Sequence, residues 1–170
     1  MNKIKLVIVL LITIVINSHA QTFEVPKDYK LESNEDYLKY EKDVIEAVNW
    51  ILETPISENK PKRKEVNNFI MKWITGSPDV TIYLTSYVTP FIENPDLRMV
   101  YLGGLAKYSI ESKYNKDETK KTIAGINDVI EFYENNKKEL GENESVEEFI
   151  KLKNSGDLEN TIKLKLHDTD

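Results

Sequence analysis

The chain contains no cysteine and, in 170 residues, only two histidines, His19 and His167. Without cysteine there is no disulfide framework, no Cys-His nucleophile, and no cysteine of the kind that carries the lipid of a bacterial lipoprotein. With so little histidine, a Ser-His-Asp constellation, a tetrahedral zinc site and haem, iron–sulfur or copper centres lack ligands or bases at ordinary positions. The closing "HDTD" reads as a fraying tail, residues 167–170, rather than a chelate. No metal and no cofactor are expected.

Long apolar runs are also scarce. The one present, Leu6–Ile16 (LVIVLLITIVI), is too short for a comfortable membrane span. Lys3 and Lys5 precede it, and Ser18 and Ala20 follow at the spacing a signal peptidase accepts. Residues 1–20 are therefore expected to be a signal peptide, cleaved after Ala20. The product is expected to be soluble, periplasmic or secreted, with no membrane span after cleavage. Loss of Lys3 and Lys5 leaves 21 basic against 29 acidic residues, a net charge of −8. That balance argues against nucleic acid and against an anionic membrane surface. The one basic cluster, "KPKRKE" at 60–65, reads as a solvated helix start.

The rest of the chain, from Gln21 onward, fits one domain, large enough to bury roughly 70% of its unfolded surface. Residues 21–33 lack a period and contain Pro26, and are expected to be an extended arm laid over helices through Phe23, Val25 and Tyr29. Residues 34–166 read as the helical domain. The spacing predicts helices over about Asn34–Glu53, Lys62–Thr75, Ser77–Ile92, Pro95–Tyr114 and Lys116–Leu140, and a sixth after Ser145 that ends near "NSG" at 154–156. A seventh helical piece could follow. Gly76 suits a left-handed C′ position, and Ser77–Pro78 and Asn94–Pro95 both read as a cap followed by a first-turn proline. "SVEE" at 145–148 reads as a capping box. The third helix is rich in β-branched residues and contains Pro90, so an early end or kink is expected there. Nothing alternates helix with strand. The fold class is all-α: a single compact bundle of about six helices with an extended N-terminal arm.

Catalytic motifs are few. Glu35, Glu41, Asp43, Glu46 and Glu53 lie mostly off the apolar stripe of the first helix, the pattern of a solvated face. Lys107 and Ser109 are two apart on a helix and do not share a face. No calcium-loop spacing occurs. "GGLAK" at 103–107 has neither the spacing nor the preceding strand of a phosphate-binding loop.

Two adjacent mid-helix glycines cost about 1 kcal/mol each relative to alanine, so something should offset them. At 100° per residue Leu97, Tyr101, Gly104 and Tyr108 share a stripe, and Gly103 lies outside it. A short "ENPD" connection predicts an antiparallel pair with the third helix, placing Leu84 or Tyr83 over Gly104. The candidate ligand-binding residues are Tyr83, Tyr87, Arg98, Tyr101, Gly104 and Tyr108, a small polar pocket over the glycines; plain helix packing is the simpler reading of the same stripe.

"VPKDYKLESNEDYLKYEKDVIEAVNW", "WITGSPDVTI" and "NPDLRMVYLGGLAKYSIE" resemble small secreted all-helical proteins of Bacteroidota without an assigned function, as does the "SHA-Q" junction. The resemblance implies a helical fold and export, and brings no catalytic residues. The leading functional expectation is a non-enzymatic domain that binds a small ligand or an envelope protein. The alternatives are a carboxylate-based hydrolase of an envelope polymer, which needs two converging acids, and a structural or assembly subunit.

Overall fold

A computed structural model describes residues 22–167. The expected signal peptide, Gln21 and residues 168–170 lie outside it. Eight helices follow one another, with no strand among the described residues: α1 Asn34–Lys39, α2 Glu41–Glu53, α3 Lys60–Gly76, α4 Thr89–Ile92, α5 Pro95–Glu111, α6 Glu118–Leu140, α7 Glu144–Ser155 and α8 Leu158–His167. The fold is all-α and built on one continuous core. No helix among the described residues is long and apolar enough to cross a membrane.

The arm lies where its aromatics predict. Phe23 is buried against Phe69 of α3, and Tyr29 sets its edge on Phe69 with ring centroids 5.0 Å apart. Ser33 caps α1 in a reciprocal box with Asp36, whose carboxylate accepts from the amides of Glu32 and Ser33. Those bonds hold Asp36 below the ordinary carboxylate range. The single first helix expected from the sequence is broken at Tyr40, whose φ of −97° and ψ of 7° end α1 and begin α2.

Between α2 and α3 the basic cluster departs from expectation. Lys60 and Lys64 face solvent, but Arg63 is 5% exposed. Its guanidinium donates to the carbonyls of Ile51, Thr54 and Pro55, capping the C-terminus of α2, and sits 5.7 Å from the ring centroids of both Trp50 and Phe132. A cation at a helix C-terminus meets unpaired carbonyls and the negative end of the dipole together. Gly76 also differs from expectation. It is the last residue of α3 without a left-handed φ, and its missing side chain makes room for the Tyr37 hydroxyl.

The largest correction is the third expected helix. Residues 77–88 form no helix; Ser77 ends α3 instead of starting a new one. Val80, Thr81, Ile82, Thr85 and Val88 are β-branched and resist helical χ1 restriction. Pro90 inside a helix would clash with the carbonyl of Ser86. The chain resolves both by running without helix to Leu84, turning at Thr85–Val88 and opening α4 at Thr89, so that Pro90 falls in a first turn, where it needs no amide bond. Short as it is, α4 still places Phe91 and Ile92 in the core.

Asn94 caps α5 as read, its side-chain oxygen accepting from Asp96 and Leu97. Buried residues occupy every side of α5 from Leu97 to Ala106, which makes it the central helix. It packs chiefly on α6, then on α2 and α4. It ends at Glu111, earlier than expected, with Lys113 and Tyr114 both at positive φ. α6 kinks at Asn136, whose side chain bonds the Phe132 carbonyl and the Ile56 amide. α7 is capped by Asn143, not Ser145. The Asn143 side chain accepts from Val146, which leaves Ser145 in the first turn. Gly156 supplies the left-handed stop at φ 81°.

The two central glycines face different helices. A Cβ on Gly103 would lie 3.1 Å from a methyl of Val48 in α2. A Cβ on Gly104 would lie 2.9 Å from the backbone Cα of Gly125 in α6 and 2.7 Å from an Asp128 oxygen. The partner of Gly104 is thus another glycine, and neither Leu84 nor Tyr83 packs on it; both are exposed. Overpacking a well-filled contact costs about 1–3 kcal/mol, more than the roughly 1 kcal/mol gained by alanine in a helix. Gly104→Ala is therefore expected to lower the urea midpoint clearly. Gly103→Ala, which meets the Val48 methyls at 3.1 Å but no backbone, is expected to lower it less.

Candidate functional site

The extended segment passes over the first turn of α6 and encloses a cleft of about 610 Å³. Its walls are Tyr83, Leu84, Thr85 and Ser86 from the segment, Glu118 and Thr122 from α6, and Leu166 from α8. Lys121 fixes the arrangement. Its side chain is buried, and its Nζ donates to the Thr81 carbonyl at 2.9 Å and to Glu118 Oε1 at 2.7 Å. A buried ammonium needs both partners, because its desolvation is not repaid otherwise. The segment is in this way tethered to α6 through its main chain, in addition to the packing of Val80, Ile82, Tyr87 and Val88 on the core.

The cleft has an apolar rim and hydroxyl-bearing walls. Tyr83 and Leu84 are 64% and 54% exposed. The hydroxyls of Ser77, Thr85 and Tyr87 are buried and find no hydrogen-bond partner among the described residues. Such hydroxyls are uncommon in native structures, and here three fall within the one stretch from Ser77 to Tyr87. Lys165 Nζ lies 5.9 Å from the Tyr87 ring centroid. Tyr101 stands behind the wall, buried, with its edge on Phe91. Burial raises its phenol well above the ordinary range; Tyr87 adds to this and the Thr122 hydroxyl partly offsets it.

Of the six residues expected to form a pocket, only Tyr83 lines this cleft. Tyr87 and Tyr101 lie next to it. Arg98 is exposed and Tyr108 half-buried, and neither lines the cleft. Gly104 is closed off by α6. Leu84, Thr85, Ser86, Glu118, Thr122, Lys121 and Leu166 are not among the expected residues. A signal for part of them is present: residues 80–92 carry no charge in a chain that is 31% charged.

Among the described residues no two acids converge in this cleft. Glu118 is the one carboxylate among them that lines it, and it is bound to Lys121. Glu142, Glu144, Glu147 and Glu148 share a depression with Lys137 and Lys151. There Glu147 is held below its ordinary range by bonds from Lys137 and Tyr133, the reverse of what a proton donor requires. Among the described residues no three His, Cys, Asp or Glu side chains gather as a metal-ligand set. The chain matches no known protein family, no characterised protein and no solved structure. Fold and cleft together define an all-helical domain with a nearly neutral cleft covered by one extended segment.

Asp128 is the acid whose pKa rises most clearly, pushed up to about 6 by burial over Gly104. Lys107 opposes the rise, while Glu131 and Glu111 add to it; the Lys107 Nζ is held by Asn49 Oδ1 at 2.7 Å. Because the folded-state pKa exceeds the ordinary 3.8, protonated Asp128 favours the fold. That contribution is fully present below pH 3.8 and is lost as pH rises through about 6. Asp128→Asn is expected to be the more stable protein at pH 7, by on the order of 1–3 kcal/mol. The gap is expected to close on acidification to the ordinary carboxylate range, as read by chemical denaturation of both proteins across that range.

Proposed function

We propose that the protein is a non-enzymatic binding domain, exported to the periplasm or the medium, that takes its ligand in the cleft under the 77–88 segment. The observation that carries this reading is the unpartnered Thr85 hydroxyl in the cleft wall, between the exposed Tyr83 and Leu84 and the likewise unpartnered Tyr87. A binding cleft commonly joins an apolar surface to a few polar groups that fix orientation, and this one has both. The one carboxylate that lines it among the described residues is already paired, so the favoured ligand is neutral and carries hydroxyl or amide groups: an envelope sugar, or a short uncharged peptide segment of an envelope protein. Nucleotides and other polyanions are disfavoured by the excess of acidic residues. Export rests on the leader pattern of residues 1–20 and on the resemblance to small secreted Bacteroidota proteins.

A thermal-shift series with N-acetylglucosamine oligomers, uncharged tripeptides to pentapeptides and nucleotides tests the reading. A sugar or peptide is expected to raise Tm, and nucleotides are not. Thr85→Val and Tyr83→Ala are expected to abolish the rise while leaving the ligand-free Tm close to that of the parent. A shift that survives both substitutions, or a complete absence of shift with sugars and peptides, ends the proposal.

A further inference from the structure

A second depression, of about 450 Å³, lies where the start of α3 faces the start of α5. Its walls include Lys60, Arg63, Lys64 and Asn67 of α3, Asp96 of α5 and Ile56 from the connection before α3. None of these lines the cleft under the 77–88 segment. The volume falls in the range that small-molecule sites span. Arg63 is buried and spends its terminal nitrogens on the carbonyls that end α2, but its Nε–H is buried with no partner among the described residues. One turn along the same helix, Asn67 Oδ1 is likewise buried and unpartnered. Buried polar groups left unpaired are costly, and native structures keep few of them. Here an unmet donor and an unmet acceptor belong to the walls of one depression.

The charges around it are unmet as well. Lys62 is paired with Glu24, whereas Lys60 and Lys64 are exposed and, among the described residues, pair with no carboxylate. No acid stands in the first turn of α3, so the positive helix end adds to the lysines and is not offset. Across the depression Asp96 is half-buried, and among the described residues its carboxylate joins no ion pair or hydrogen bond. It is close enough to act on Arg63, whose guanidinium burial holds below the ordinary arginine range and Asp96 draws back up.

We propose that this depression binds the zwitterionic head of an α-amino acid. Lys60, Lys64 and the Arg63 Nε–H hold the carboxylate, and Asp96 and Asn67 Oδ1 accept from the ammonium. A plain anion would satisfy the lysines and leave Asn67 and Asp96 unmet, and a plain cation would do the reverse. An α-amino acid carries both groups on one carbon, and its contacts here are of the strong, charge-assisted kind. The two exposed lysines have flexible stems that let their charges close on the ligand from the solvent side. Ile56 is the apolar wall, which suits an aliphatic side chain and makes leucine the probe.

Equilibrium dialysis of the purified protein with labelled leucine is expected to show saturable binding. N-acetylleucine lacks the ammonium and leucinamide lacks the carboxylate. Each is expected to compete at least about tenfold more weakly than leucine, the loss of one charge-assisted contact. Asp96→Asn and Lys64→Ala are expected to weaken leucine binding while keeping the helical circular-dichroism spectrum. Their effects are also selective: Asp96→Asn levels leucine with N-acetylleucine, and Lys64→Ala narrows the gap between leucine and leucinamide. Thr85→Val, in the wall of the other cleft, is expected to leave leucine binding unchanged, so the two sites stand or fall separately. No binding of leucine at millimolar concentration, equal competition by all three compounds, or a selectivity untouched by both substitutions overturns the inference. Leucine binding that is lost in Thr85→Val belongs to the other cleft and overturns it too.

Discussion

The architecture depends on one contact, the approach of α5 to α6 at Gly104 and Gly125. Each glycine removes the side chain that would hold the other helix away, and each space is then used. The Tyr101 ring and a Leu105 methyl lie over Gly125, and an Asp128 oxygen lies over Gly104. Glycine in a helix is costly on propensity alone, so the return has to come from packing that a Cβ would forbid. The two flanks of the crossing differ in chemistry. Around Tyr101 and Thr122 it is buried and hydroxyl-bearing, and this is the wall behind the cleft. Around Lys107 and Asp128 it is polar and partly solvated. Gly103, one residue away, performs a similar service toward Val48 of α2, so that a central helix buried on nearly all sides can touch two neighbours closely.

Two buried cations then fix what the glycines bring together. Arg63 ends α2 and Lys121 holds the extended segment, and both do so through main-chain carbonyls. The choice of partner has a physical reason. A carbonyl does not titrate, so these contacts keep their geometry across the pH range in which carboxylates change charge. Arg63 is packed between two aromatic faces, which suits a weakly hydrated planar cation. Lys121 has a compact charge, and it keeps a carboxylate, Glu118, as well as its carbonyl. In an acidic chain the basic side chains that matter most to the fold are therefore hidden rather than displayed.

Much of the helical layout is legible in the sequence because helix ends are written locally. Asn94–Pro95, Gly141 and Gly156 carry their meaning within a turn, and the structure uses each as read. Where two local solutions compete, the reading fails by small margins. Asn143 and Ser145 both make good caps, and the first to offer an oxygen at the right distance takes the role. The 77–92 region fails for a larger reason. Tyr83, Leu84, Tyr87, Val88 and Phe91 fall at three- and four-residue steps, but that spacing coincides with β-branched density and with Pro90. Periodicity there points to a helix that both the proline and the branching oppose, and the chain follows the latter. The partner of Gly104 is illegible for a different reason: Gly125 sits in "TIAGIN", on the next helix, and nothing within either helix names the other.

The failed stretch and the candidate site are the same residues, and this follows from how folds accommodate function. A segment whose propensity, charge pattern and proline all disagree with the helical neighbourhood does more than fill the core, to which it gives Val88, with Val80, Ile82 and Tyr87 packed against it. Packing and connection alone account for Val80, Ile82 and Val88, but not for leaving Tyr83 and Leu84 in water and three hydroxyls unpaired. Consistency across levels marks the parts of a sequence that specify structure, and its local breakdown marks where something other than stability is being specified. The breakdown here is confined to one segment, and that segment borders the cleft. A chain that packs Val80, Ile82 and Val88 inward and is held at Thr81 by Lys121 leaves Tyr83 and Leu84 free to shape a pocket.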